Sequence, residues 1–222
     1  MKNKLLVALL FFGYLGQAQG VPKDLADVEL MSLMKDLVVT TKNGQNMKQV
    51  MLMPPEYWYV ALNDSPMAGA FVDEFTAGFE GHFVVAALDL DIGAFGNFES
   101  NEMDLTFIGT DGSQNKPLNE QDLPSEMKTV LNVMKPMMGS MLGELGSNYE
   151  FLVFSSVNAN NETIIDLYGA DSVSFIISDT TLDINFPLNA LVVEKICPTD
   201  NKTLSGSWKY CPWHGTTLKA QN

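Results

Sequence analysis

His82-Phe83-Val84-Val85-Ala86-Ala87-Leu88-Asp89-Leu90-Asp91-Ile92 is the stretch that decides the fold. From Phe83 to Leu88 it is apolar without interruption, which predicts a strand buried at its centre. Asp89 and Asp91 then alternate with Leu90 and Ile92, as at a strand end with one face in water. Gly93 to Asn97 is glycine-rich and turns the chain. Met103, Leu105 and Phe107 alternate with polar partners, and Asp111-Gly112 makes the next turn. Further strands are expected over Tyr149 to Val157, Ser172 to Ser178, Leu182 to Phe186 and Leu191 to Ile196. Several short strands at such spacing predict an antiparallel β-sandwich.

Upstream of this strand the signals are mixed. Phe71, Phe75 and Phe79 stand at helical spacing between glycines, so Gly69 to Phe79 reads as a short helix or ordered loop. Glu56 to Leu62 is aromatic and β-branched, which predicts a strand between the Pro54-Pro55 break and the Asn63 to Pro66 turn. Asp24 can cap a helix whose face carries Leu30, Leu33, Met34 and Leu37. Asn43-Gly44 ends that helix or turns the chain.

Between the strands lies an insertion of a different period. Apolar residues at 127, 130, 131, 134, 138, 141, 142 and 145 make an amphipathic stripe. Ser125 is its expected N-cap, Gly146 its stop, and Pro136 is expected to kink or split it. Met127, Val130, Met134, Met138 and Met141 form a soft apolar face. Such a face fills a core groove, or presents a surface to a ligand or partner.

The fold class expected is therefore mainly β with helical additions. Residues 21–54 form an N-terminal helical segment, 55–192 the sandwich with the helical insertion at 124–146, and 193–222 a small C-terminal module. The strand order, the Asp-Gly turn and the closing Phe186-Pro187-Leu188 resemble extracellular immunoglobulin-like sandwich domains over the middle two-thirds of the chain.

Composition bounds the partners. A formal net charge of −14, with all 13 basic residues lysine, repels phosphate backbones and anionic membrane surfaces. Nucleic acid is thus not an expected partner, and no mature stretch is long and apolar enough for a membrane span. At the N-terminus, Lys2 and Lys4 precede an apolar run from Leu5 to Leu15, and Ala18-Gln19-Gly20 supplies the small residues of a peptidase site. Residues 1–20 are read as a signal peptide cleaved after Gly20, with cleavage after Ala18 as the alternative. The protein is then secreted or periplasmic, in an oxidising compartment.

The C-terminal thirty residues hold both cysteines of the chain and one of its two histidines. Cys211-Pro212-Trp213-His214-Gly215 resembles one knuckle of a zinc ribbon, in which two ligands three positions apart sit on a tight turn closed by glycine. Cys197-Pro198-Thr199-Asp200-Asn201 keeps the Cys-Pro start but places Asp200 at the second ligand and Asn201 at the glycine; Asn tolerates the left-handed turn. The resemblance implies zinc on Cys197, Asp200, Cys211 and His214. An exported chain with two cysteines equally allows a Cys197–Cys211 disulfide. Trp208 and Trp213 are expected to pack this module onto the sandwich.

Catalytic signals are few. There is no HExxH, no Gly-x-Ser-x-Gly and no phosphate-binding glycine loop. The expected function is a non-enzymatic binding or structural interaction protein of the cell envelope. The alternatives are a carrier of a hydrophobic small molecule held between the Met-rich helix and the sheet, and a carboxylate-based hydrolase.

Overall fold

The computed structural model describes residues 20–63 and 76–221. The expected signal segment before Gly20 and most of the Gly69 to Phe79 segment lie outside the described residues. The described chain is mainly β, with three antiparallel sheets and four α-helices.

The first sheet is built on β3 (His82–Ile92). On one edge it pairs β2 (Asn46–Met53), which pairs β1 (Val38–Asn43). Its other edge is shared by β7 (Glu150–Ser155), along His82 to Ala87, and β4 (Phe98–Ser100), along Leu90 to Ile92. The second sheet runs β6 (Gln114–Asn115), β5 (Leu105–Ile108), β8 (Ser172–Ile177), β9 (Thr180–Asn185). The third is small: β11 (Thr203–Leu204), β10 (Lys195–Ile196), β12 (Lys219–Ala220). The helices are α1 (Leu30–Leu37), α2 (Pro55–Asn63), α3 (Ser125–Leu142) and α4 (Glu144–Ser147).

Two apolar layers explain the uninterrupted run in β3. Phe83, Val85 and Ala87 join Leu105, Phe107, Val173, Phe175, Leu182 and Ile184 in a core between the first and second sheets. Phe83 lies 5.0 Å edge-on from Phe107 and 5.6 Å from the stacked ring of Phe154. The alternate residues Val84, Ala86, Leu88 and Leu90 join Met127, Met134, Leu123 and Val153 in a second core beneath α3. A strand covered on both faces has no polar side to alternate with.

Several expectations change. Residues 56–62 are helical, not extended: Pro55 occupies the first helical turn, where its missing N–H costs nothing. Trp58 stacks on Phe79 with ring centroids 5.3 Å apart. A short aromatic run carries no period long enough to separate helix from strand. The expected helical segment 21–54 is an α-helix only over Leu30–Leu37; from Val38 it is the hairpin β1–β2, reversed at Gly44 with φ 62°. Asp24 caps a 3-10 turn over Leu25–Asp27, accepting a hydrogen bond from the Ala26 N–H at 3.0 Å.

Asp89 is buried rather than solvated. Its carboxylate accepts from Asn46 Nδ2 at 2.8 Å and Asn101 Nδ2 at 3.1 Å, and pairs with Lys48 Nζ at 3.4 Å. The helix α3 runs on through Pro136, and the break falls at Gly143, where φ is 62°. Gly146, buried in α4, lies so close to α3 that an added Cβ would stand 2.0 Å from the Met138 carbonyl oxygen.

Candidate functional site

The C-terminal module folds as two matching turns fourteen residues apart. In the first, the Cys197 N–H donates to the Lys202 carbonyl at 2.9 Å and the Asn201 N–H to the Cys197 carbonyl at 2.8 Å. In the second, the Cys211 N–H donates to the Thr216 carbonyl and the Gly215 N–H to the Cys211 carbonyl, both at 2.8 Å. Asn201 (φ 59°) and Gly215 (φ 63°) take the same left-handed conformation. Asparagine reaches it at small cost, so the altered first turn keeps its shape.

These turns bring Cys197, Cys211 and His214 together, with ligand atoms all within 4.8 Å of one another. Both sulfurs lie 3.4 Å from His214 Nδ1. A tetrahedral zinc ion at ordinary bond lengths needs sulfur and nitrogen about 3.5 Å apart, so the spacing fits. The thiols are free and buried, packed with Leu218. Burial pushes the Cys197 thiol up. The N–H groups of Thr199 and Asp200, the Thr216 hydroxyl and the His214 ring outweigh it and bring the pKa down to about 7. A thiolate is the ligand form, so the three side chains can hold a metal ion.

Asp200 stands at the position in the first turn that His214 holds in the second, yet it is not in this group of ligand atoms. Its carboxylate accepts from the Lys202 N–H at 3.2 Å and lies 3.7 Å from Lys202 Nζ. Burial raises its pKa, but the Lys202 amide, Cys197, His214 and the Lys202 charge together lower it. Trp208 and Trp213 do not pack the module down: they are 44% and 65% exposed. The module meets the body through the Val193 N–H, which donates to the Val21 carbonyl at 2.8 Å, and through the Ser205 hydroxyl, which donates to Asn189 Oδ1 at 2.5 Å. Within it, the Gln221 N–H donates to the Glu194 carbonyl at 3.2 Å and Lys195 Nζ to the Trp208 carbonyl at 3.0 Å.

The helical insertion makes a second feature. Met127 and Met134 are buried on the first sheet, with Val130 and Met138 partly buried beside them. Met141 points outward, 69% exposed, as do Met137 and Val133, one and two turns before it. A third face of α3, with Lys128, Leu131, Asn132, Lys135, Pro136 and Gly139, borders a cleft of about 970 Å³. The opposite wall is Glu150 to Val153 of β7, with Leu118, Leu123 and Ser147 at the ends. None of the five residues of the apolar methionine face lines it. Periodicity shows where a helix is apolar; it carries no sign of a gap beside that face.

His82 starts β3 and its Nδ1 meets the Glu80 carbonyl at 2.9 Å. It borders a smaller cleft of about 220 Å³ with Glu56, Asp166 and Tyr168. No helix among the described residues is long and apolar enough to cross a membrane. Protein-family models, curated proteins and solved structures were all searched, and none matches this chain.

Proposed function

We propose that this chain is an exported binding protein of the cell envelope, without catalytic activity. In this reading two sheets form an immunoglobulin-like sandwich, and the partner is taken in the cleft between α3 and β7. The cleft is the observation that carries the reading: about 970 Å³ open between a helix and a sheet that elsewhere pack closely. Its walls mix Leu118, Leu123, Leu131 and Phe151 with Lys128 and Lys135, which suits an occupant with both apolar and polar groups. A small hydrophobic cargo is the second reading, favoured by the same apolar wall.

The test uses 1-anilinonaphthalene-8-sulfonate as a fluorescent probe of the cleft. Saturable binding is expected, weakened at least tenfold by Leu131→Glu. No binding, or binding that ignores this substitution, removes the reading.

The C-terminal module is read as a structural zinc clip held by Cys197, Cys211 and His214. Asp200 or water completes the tetrahedron. The ion would tie the two turns and hold the end of the chain on residues 189–194. Intact-mass spectrometry of the native protein distinguishes bound zinc from the Cys197–Cys211 disulfide, which shows instead as the loss of two hydrogens. Cys211→Ser is expected to abolish zinc binding and Asp200→Asn to leave it. Zinc retained by Cys211→Ser would overturn the site.

A further inference from the structure

We infer that the occupant of the α3–β7 cleft is an extended peptide segment, added as a strand to the free edge of β7. The inference rests on the cleft reading above and names the class of partner.

The argument is one of hydrogen-bond parity. In an antiparallel pair, alternate residues direct both backbone groups to the neighbour, and the residues between direct theirs away from it. Among the described residues β7 pairs with β3 alone, from His82↔Ser155 to Ala87↔Glu150. The Val153 carbonyl accepts from the Leu118 N–H at 2.8 Å, so Val153 belongs to the outward set. Phe151, two residues earlier, belongs to it too. The Phe151 N–H, the Phe151 carbonyl and the Val153 N–H therefore face away from β3, and no other backbone bond among the described residues reaches them. They lie where Glu150 to Val153 form the wall of the cleft. Leu118 shows the same edge already accepting one chain segment.

Across the cleft, Pro136 has no N–H, so the Asn132 carbonyl lacks its helical donor; both residues line the cleft. A guest main chain thus meets unpaired acceptors and donors on one side and an unpaired carbonyl on the other. Addition of a strand to a sheet edge uses these groups.

Charge fixes the register of side chains. Phe151 and Val153 belong to the core beneath α3, so that face of a guest strand looks toward Lys128 and Lys135, two lysines against the one carboxylate, Glu120, that lines the cleft besides Glu150. No carboxylate among the described residues lies within 4.0 Å of either ammonium. Glu150 is on the opposite face of β7 by alternation. The guest is therefore expected to carry acidic or apolar side chains toward α3 and neutral or basic ones at the positions between. Four wall residues of β7 span about 13 Å, room for a guest of four to six residues.

The test is a pool of capped hexapeptides offered to the full-length protein. Positions one, three and five are Glu or Leu; positions two, four and six are Val, Thr or Lys. Retained peptides are read by ultrafiltration and mass spectrometry. Two further pools carry backbone N-methyl groups, on the odd or on the even positions. Dodecanoate is tested alongside. Retention of the plain pool is expected, with a tenfold or greater loss for one methylated pool only, because a guest strand uses one edge. Equal retention of both methylated pools overturns main-chain pairing and leaves the cleft reading intact. Dodecanoate bound with no peptide retained overturns the peptide and favours the small cargo. Neither bound overturns both.

Discussion

Asn201 and Asp200 are adjacent residues that depart from the zinc-ribbon pattern with opposite outcomes. Asn201 replaces a glycine and keeps its conformation, at φ 59°. Asp200 replaces a ligand of that pattern, and its carboxylate meets the Lys202 amide and ammonium as well as Cys197 and His214. The Cys197, Cys211 and His214 grouping was legible because a Cys-Pro-x-His-Gly turn fixes its own geometry. The contacts of Asp200 with Lys202 are ones that no spacing rule includes. Two glycines give tests at this scale. Gly146→Ala places a Cβ against the Met138 carbonyl, and urea unfolding is expected to show a loss of about 1–3 kcal/mol. Gly20 is buried, donates its N–H to the Tyr168 carbonyl at 2.9 Å, and would meet Val192 Cγ1 at 2.3 Å if it bore a Cβ. Cleavage after Gly20 would remove this anchor. If the N-terminal segment is cleaved, N-terminal sequencing is therefore expected to begin at Gln19, after Ala18; a start at Val21 would contradict it.

At the scale of elements, β3 was legible from its uninterrupted apolar centre and α3 from its stripe. The hairpin β1–β2 was not, because Val38 to Asn43 alternates weakly and follows a helix without a break. Nor was α2, whose nine residues hold too few turns for a period to show. The end of β3 is locked by Asp89, which Asn46, Asn101 and Lys48 all address. Asp89→Ala leaves Lys48, 11% exposed at its side chain, with only the exposed Asp179 as partner. A loss of about 3–5 kcal/mol is expected by urea unfolding, the cost of breaking a buried pair. Asp179→Ala, at a residue 88% exposed, is expected to cost under about 1 kcal/mol. Equal effects would show that Asp89 is no lock.

For the molecule as a whole, alkaline stability should turn on Tyr168. Burial, then Glu56 and Asp166, push its pKa from 10.0 up to about 12. The folded state thus holds this proton more tightly than the unfolded one. The stability it gives is complete below pH 10 and is lost as pH rises from there through about 12. Urea midpoints between pH 9 and 12 should fall, and fall less steeply in Tyr168→Phe; parallel curves would exclude this group.

The sequence by itself determined the mainly β class, the helical insertion and a set of candidate metal ligands that includes Cys197, Cys211 and His214. Each is written in a local period or in a turn of a few residues. Only the tertiary structure decided that β3 lies between two cores, that Asp89 is buried, and that a cleft opens along β7. Those facts depend on which surfaces meet across long stretches of chain. A free strand edge is a group left unpaired after all other pairings are made, so it has no local signature.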